Sequence, residues 1–531
     1  MKVTHYIYIG LAALTFHSCD FLEEYSQDQA YVTTWEDLNE LLVGGGYVPV
    51  NTTEEWESSS NYGQFLHLLA DELDERNVTT TGNILFDAKY YTFGNYTWQQ
   101  RSGTKETYAG DYYTENITWT NLYKCINVAN NILKSSESLP QSTGDEIDGY
   151  YKVRGEAHFL RAYLYFWLTN TYGQPYSPST ASSELGVPLK TTEEVIDIKY
   201  TRNTVQECYD LIEEDLLAAE EELTKYGKAQ KTIYHADLTA VQLLMSRVYL
   251  YMQNWAKAEE YARKAIASHP DLQDLNTNKA RFMQKTNPEN IFSMGGDDLP
   301  CLVLDHVSAY KVNGDLYNSY SDNDLRKKNW YYVFNTYYGL TKHPENPVYA
   351  DRYTQKDNEY SYYCYYLYKQ SRLPISSVFW LRSSESYLNL AEALAYQGKD
   401  EEALEVLNTQ RKARYMPGSQ ELSKTYTNEE LVNEIRNERR KEFSFEGQRW
   451  FDLRRYRVCE KYPSRISLQH TYTYFKDRGS TTMTETHVFT LTEDDPSWTC
   501  PIPQEVIEFN TGMKNNGNLY RDYVAVEPIE K

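Results

Sequence analysis

The chain has 531 residues and a formal charge of −23. That length exceeds one small core and fits two to four structural units, or one long helical solenoid. The acidic balance argues against a nucleic-acid partner, since nothing here would neutralise phosphates.

The N-terminus carries a thin positive region at Lys2 and an apolar run from Tyr6 to Phe16. This is the anatomy of a secretory signal peptide, too short to span a bilayer. The run stops at Cys19, with Asp20, Glu23 and Glu24 directly after it, a poor setting for a buried core thiol. The edge resembles a bacterial lipobox. Ser18 fits that pattern, whereas Phe16 and His17 depart from it. The resemblance implies cleavage before Cys19 and acylation of its sulfur and new N-terminus, palmitate included. Six other cysteines, Cys125, Cys208, Cys301, Cys364, Cys459 and Cys500, are scattered with no C-x-x-C pair. In an exported protein this number permits disulfides without requiring them.

Gly44 to Gly46 lack a preceding strand and a following Lys-Ser/Thr, so they read as a turn and not a phosphate loop. Asn77 to Ala109 mixes Gly, Thr, Tyr and Asn with little periodicity. A helix follows in "WTNLYKCINVANNIL". The next, "EAHFLRAYLYFWL", puts Phe159, Ala162, Tyr163 and Phe166 on one side, and its partner runs from Thr204 to Leu223. Between them Tyr172 to Arg202 is a loop rich in Pro, Ser and Gly.

The stretch "VQLLMSRVYLYMQNWAKAEEYARKAIASHP" reads as a helix pair. Val241, Met245, Val248, Tyr249 and Met252 stripe the first helix, Trp255, Ala258, Ala262, Ala265 and Ile266 the second, and Pro270 closes the unit. Ser246, Tyr249, Ala258, Ala262, Ala265 and Pro270 fall at tetratricopeptide spacing, where small residues let helices approach. A second copy is "YLNLAEALAYQGKDEEALEVLNTQRKAR", with Ala391, Leu394 and Ala403 at matching offsets. The expected fold is therefore mainly α: a tetratricopeptide-like solenoid of about four helix pairs, with long aromatic loops and a few short strands.

Pro300 to Ile375 is a long polar-aromatic segment, part of a chain holding 51 tyrosines and 10 tryptophans. Its "YSYYCYYLYKQ" piece alternates in the manner of a strand. No catalytic or metal-binding motif occurs, and "GGDD" at Gly295 to Asp298 reads as a solvated turn. The densest charge lies in "RNERRKEFSFEGQRWFDLRRY". Read as one helix, it puts Arg439, Glu442 and Glu446 on one face, with Arg449 and Asp452 nearby, as a partly buried ion-pair network fixing register.

With these segments in view, the chain resembles the SusD/RagB family of outer-membrane lipoproteins. The resemblance is carried by the Cys19 start, "RGEAHFLRAYLYFWLTNTYGQPY", "WLRSSESYLNLAEALAYQGKDEEAL" and "NERRKEFSFEGQRWFDLRRY". "NPENIFSM" and "PIPQEVIEFN…MKNNGNL" add to it. It divides the chain into a signal peptide (1–18), an N-terminal SusD-like region (19–225), a tetratricopeptide-like pair (226–270) and a C-terminal SusD/RagB region (271–531).

The resemblance implies a nutrient-binding protein rather than an enzyme; no catalytic residue, cofactor or metal ligand is assigned, and the sequence does not show whether calcium is bound. Such a protein would be anchored on the cell surface through Cys19 and pass an oligosaccharide to a SusC-like TonB-dependent transporter. A peptide ligand is the alternative within the family, and an extracellular glycoside hydrolase or a tetratricopeptide adaptor the alternatives outside it. By region, the family's ligand sites fall on "FGNYTWQQR" and "KKNWYYVF". The expected ligand-binding residues are accordingly Asn95, Tyr96, Trp98, Arg101, Trp330, Tyr331 and Tyr332, as loop platforms for sugar rings.

Overall fold

A computed structural model describes residues 32–48, 63, 65–76, 83–110, 112–194, 196–278, 282–295, 309–334, 337–342, 375–422, 426–476, 482–521 and 524–526. Cys19, the carboxylates Asp297 and Asp298, and the "YSYYCYYLYKQ" segment lie outside the described residues.

The helices begin where local chemistry satisfies their first N–H groups. Helix α1 is Trp35–Leu41, α2 is Phe65–Leu69, α3 is Asn83–Tyr96 and α4 is Tyr112–Ser136. The long α5 (Gly144–Tyr172) and α6 (Val205–Tyr226) each open on a capping box, Thr143 with Glu146 and Thr204 with Glu207. Gly227 closes α6 at φ 62°, a left-handed position suited to glycine. Asp237 caps α7 (Leu238–Tyr251) and Asn254 caps α8 (Trp255–Ser268).

Helices α4 to α8 pack in succession. The pair α11 (Ser383–Tyr396) and α12 (Asp400–Lys412) then stacks on α8. The tetratricopeptide spacing is realised: Ala258, Ala262, Ala265, Ala391, Leu394 and Ala403 are fully buried where these helices meet. The mainly helical, tetratricopeptide-like class is the observed one. Among the described residues no helix is long and apolar enough to cross a membrane.

Strands are short and antiparallel. β1 (Leu73–Glu75) pairs with β3 (Tyr310–Val312), and β2 (Asn290–Ser293) with β6 (Trp380–Arg382). β4 (Tyr331–Phe334) and β5 (Tyr337–Leu340) pair with each other. β7 (Leu468–Phe475), β8 (Met483–Leu491) and β9 (Val524–Val526) form a three-stranded sheet. Short helices α9 (Gly314–Ser319) and α10 (Leu325–Asn329) lie between β3 and β4.

Three local expectations are corrected. The stretch read as irregular contains α3, whose apolar and aromatic residues form no single stripe, so periodicity could not reveal it. Gly44 to Gly46 continue α1 as a π-helical turn, with Gly45 against Val128 and Gly46 against Leu160. The charged motif is two helices, α13 (Asn428–Glu442) and α14 (Arg449–Arg457). Phe445 at φ 59° and Gly447 at φ 70° turn the chain between them. A Cβ on Gly447 would stand 2.9 Å from the Val378 side chain.

That motif does form an ion-pair network, but with remote partners. Arg439 meets Asp452 and Glu392, Glu442 meets Arg326, Arg382 and Arg414, and Glu446 meets Lys342 and Arg382. It is a buried network, since these side chains are at most 4 % exposed. Among the described residues Cys125, Cys208, Cys459 and Cys500 are buried free thiols.

Candidate ligand-binding groove

The pairing of β1 with β3, Leu73 opposite Val312, brings together two segments 239 residues apart. β7 packs against β1, and the C-terminal end of α13 lies alongside. These elements enclose an open groove of about 380 Å³. Asp71, Asn313, Asp315, Arg440, Gln469 and His470 supply its polar lining.

Each polar group has a defined setting. The Asp71 carboxylate is held bidentately by Arg449, Nε at 2.7 Å and Nη2 at 2.8 Å, and by Arg440 Nη2 at 3.0 Å. Burial works against its charge, yet the guanidinium groups of Arg449 and Arg440 hold it well below the usual carboxylate range. Asn313 caps α9 by accepting from the Leu316 N–H, and its Nδ2 donates to Asp74 at 2.7 Å. The Gly314 N–H donates to the other Asp74 oxygen at 3.0 Å, which fixes the turn carrying Asp315. Arg440 Nε is buried and has no hydrogen-bond partner among the described residues. Gln469 and Ser467 are exposed at the entrance to β7.

Beside this lining stands an aromatic pair. Tyr317 of α9 and Tyr338 of β5 stack with centroids 4.4 Å apart and planes 15° apart, both half-buried. The Tyr338 ring lies 3.9 Å from where a Cβ on Gly314 would stand, next to Asn313 and Asp315.

The expected platform residues sit elsewhere. Trp98, 2 % exposed at φ 51°, donates its indole N–H to Leu69 O at 3.0 Å and stacks on His470 at 4.2 Å. Tyr96, 1 % exposed, stacks on the other face of His470 at 4.3 Å. These two rings therefore back the groove wall without facing solvent. Trp330 is buried against Phe282, with the Lys342 ammonium 4.1 Å from its ring centroid. Tyr331 is buried with its hydroxyl on Ser444 at 2.7 Å. Burial of these four rings overturns their reading as open platforms; apolar area of that size gains more from packing than from water.

Tyr332 is half-buried over Gly339, Asn95 is half-buried, and Arg101 is paired with Glu115 at 2.6 Å. Sequence reasoning missed Asp71, Asn313, Asp315, Tyr317, Tyr338 and Gln469. The only available signal was the Asn-Gly-Asp turn in "VNGDLY", which is a helix cap as much as a site.

The helical-repeat scaffold carries a polar groove flanked by an aromatic pair. Two family profiles match the chain: residues 49–250 match one described as starch-binding associating with outer membrane, and residues 169–520 match the SusD family. The chain belongs to the SusD family. A SusD-like protein of Formosa agariphila is 26 % identical over 388 residues, 64 % of this chain and 72 % of that protein. The starch-binding protein SusD of Bacteroides thetaiotaomicron is 29 % identical over 185 residues, 34 % of this chain and 30 % of that protein. Among solved structures, a SusD superfamily protein of Bacteroides thetaiotaomicron superposes with a TM-score of 0.67 at 22 % identity, covering 91 % of this chain and 100 % of that one. A SusD-like carbohydrate binding protein of Bacteroides vulgatus gives 0.65 at 18 %, covering 91 % and 98 %.

Proposed function

We propose that this chain is a surface nutrient-binding lipoprotein of the outer membrane. It captures an oligosaccharide in the Asp71–Asn313–Gln469 groove and delivers it to a SusC-like TonB-dependent transporter. Cys19 carries the lipid anchor. Family membership supports the nutrient-binding role, and a matching profile is described as starch-binding associating with outer membrane.

The observation that carries the ligand class is the pairing of a pre-organised polar rim with a stacked tyrosine pair. A sugar ring offers C–H faces to aromatic rings and hydroxyls to carboxylates and amides. Asp71, fixed by two arginines, is an acceptor that needs no reorganisation on binding. The same fixation argues for binding over hydrolysis. A glycosidase general acid needs a raised pKa, a role that Asp71, held ionised, does not fit.

The test is calorimetric titration of the purified full chain in mild detergent against a glycan panel, then a peptide panel, with a parallel assay for new reducing ends. Binding of a glycan without cleavage is expected. Binding of peptides alone would overturn the carbohydrate assignment, and new reducing ends would make the protein an enzyme.

A further inference from the structure

His470 is buried at 4 % exposure, yet both its ring nitrogens meet carbonyl oxygens: Nδ1 to Tyr96 O at 2.7 Å and Nε2 to Ala70 O at 3.1 Å. A neutral imidazole carries one N–H and one bare nitrogen, so it can donate to only one of them. The shorter contact assigns the proton of the neutral ring to Nδ1 and the Tyr96 carbonyl. That leaves the Nε2 lone pair against the Ala70 carbonyl, an arrangement that only a second ring proton turns into a hydrogen bond.

The surroundings tolerate that second proton. The ring is sandwiched between Tyr96 and Trp98, with centroids 4.3 and 4.2 Å away and planes tilted by 10° and 22°, and aromatic faces attract a cation. Asp74 within β1 and Asp71 just before it both raise its proton affinity. Arg521 lies beyond Trp98, 6.0 Å from that ring. Arg440 and Asp315 share the groove lining, and the Tyr96 hydroxyl is held protonated by burial.

We propose that His470 is a proton-operated positioning residue of the groove: singly protonated it holds Tyr96 alone, and doubly protonated it also ties down Ala70 and with it the adjoining Asp71. Burial pulls the His470 pKa below its ordinary value, while the two carbonyls and the nearby carboxylates oppose this. The ring therefore takes its second proton only at a lower pH than a free imidazole would. The transmission path is short. Trp98 already holds Leu69 O, His470 closes on Ala70 O, and the next residue, Asp71, is the groove carboxylate gripped by Arg449 and Arg440. Acidification then stiffens the wall that presents Asp71. The consequence for affinity rests on the groove being the binding site; the proton step itself needs no ligand.

The experiment is histidine 15N NMR of the full chain in detergent from pH 8 to pH 4.5, with hydrogen exchange of segment 66–76 followed by mass spectrometry. Nδ1 should keep its proton throughout, and Nε2 should change from bare to protonated within that range. Protection of 66–76, corrected for the intrinsic pH dependence of exchange, should rise about fivefold on acidification, what one added hydrogen bond confers on a local opening. His470→Asn should abolish that rise. A ring with one unchanging protonation state, or a protection factor independent of pH, overturns the proposal. Should His470→Asn fail to fold, the titration of the native ring decides alone. Failure of the glycan panel would leave this result untouched, so the two readings fall separately.

Discussion

Arg414 and Glu442, 28 residues apart, meet through three hydrogen bonds, Nε to Oε2 at 2.9 Å and to Oε1 at 3.1 Å, and Nη2 to Oε1 at 2.8 Å, with neither side chain exposed. Arg382 reaches the same carboxylate at 2.7 Å and Arg326 at 2.8 Å, so three arginines from different segments converge on one glutamate. Removing that glutamate strands buried positive charge. Glu442→Ala should lower stability by about 3–5 kcal/mol. Thermal unfolding reads this directly, and the surviving folded fraction should keep its ligand affinity. An unchanged midpoint would show that the network is dispensable.

The same cluster sets the acid limit. Burial alone would raise the carboxyls of Glu442, Glu438 and Asp452, but Arg414, Arg326 and Arg439 respectively hold them below their ordinary values. A carboxyl with a depressed folded value contributes stability that is complete above the unfolded value, about 4, and is lost as pH falls through the folded value. The contribution of these carboxyls to the urea midpoint should therefore be complete above about pH 5 and be lost below about pH 4. Glu442→Gln should show a shallower fall; an identical slope would remove Glu442 from this role.

Trp98 and Trp330 belong to the core, which changes what their loss should do. Each indole is at most 2 % exposed. Trp98→Ala and Trp330→Ala should each cost about 3–5 kcal/mol in chemical denaturation. Stable, fully folded variants would instead mean that these rings leave the interior in solution.

Tyr338 is the ring expected to act on ligand. It is half-buried, stacked on Tyr317 and adjacent to the Asn313 turn. Loss of one stacked sugar contact, about 1 kcal/mol, weakens affinity roughly five- to tenfold. Tyr338→Ala should show that change in calorimetry while its melting curve stays close to the native one. Native affinity for a ligand that does bind would move the platform elsewhere.

Cys19 lies outside the described residues, and its role is tested by fractionation. Multiple acyl chains anchor stably where one does not. Cys19→Ala, expressed without the transporter, should leave the outer-membrane fraction; retention there would refute the anchor.

The helix pairs were legible because their determinants are local. Apolar residues at threes and fours, small residues such as Ala258 and Ala262, and capping threonines at 143 and 204 each act within a few residues of themselves. Family membership was legible from the same segments, since they are the scaffold. Tertiary structure alone decided which aromatics are buried and which stay at the surface. Trp98 in "FGNYTWQQR" and Tyr338 in "NTYYGL" are both aromatic residues in polar, irregular-looking sequence. What separates them is that His470, hundreds of residues further on, stacks on Trp98 and buries it, while Tyr338 remains at the surface against Tyr317. The charged motif shows the same division. Its wealth of Arg and Glu announced a network, but helical spacing suggested that Arg439, Glu442 and Glu446 would share one face of one helix. Phe445 and Gly447 break that helix, and the remote partners are Arg326, Lys342, Arg382, Glu392 and Arg414. Long-range pairing depends on which segments the packed helices bring together, and short-range periodicity carries no record of it.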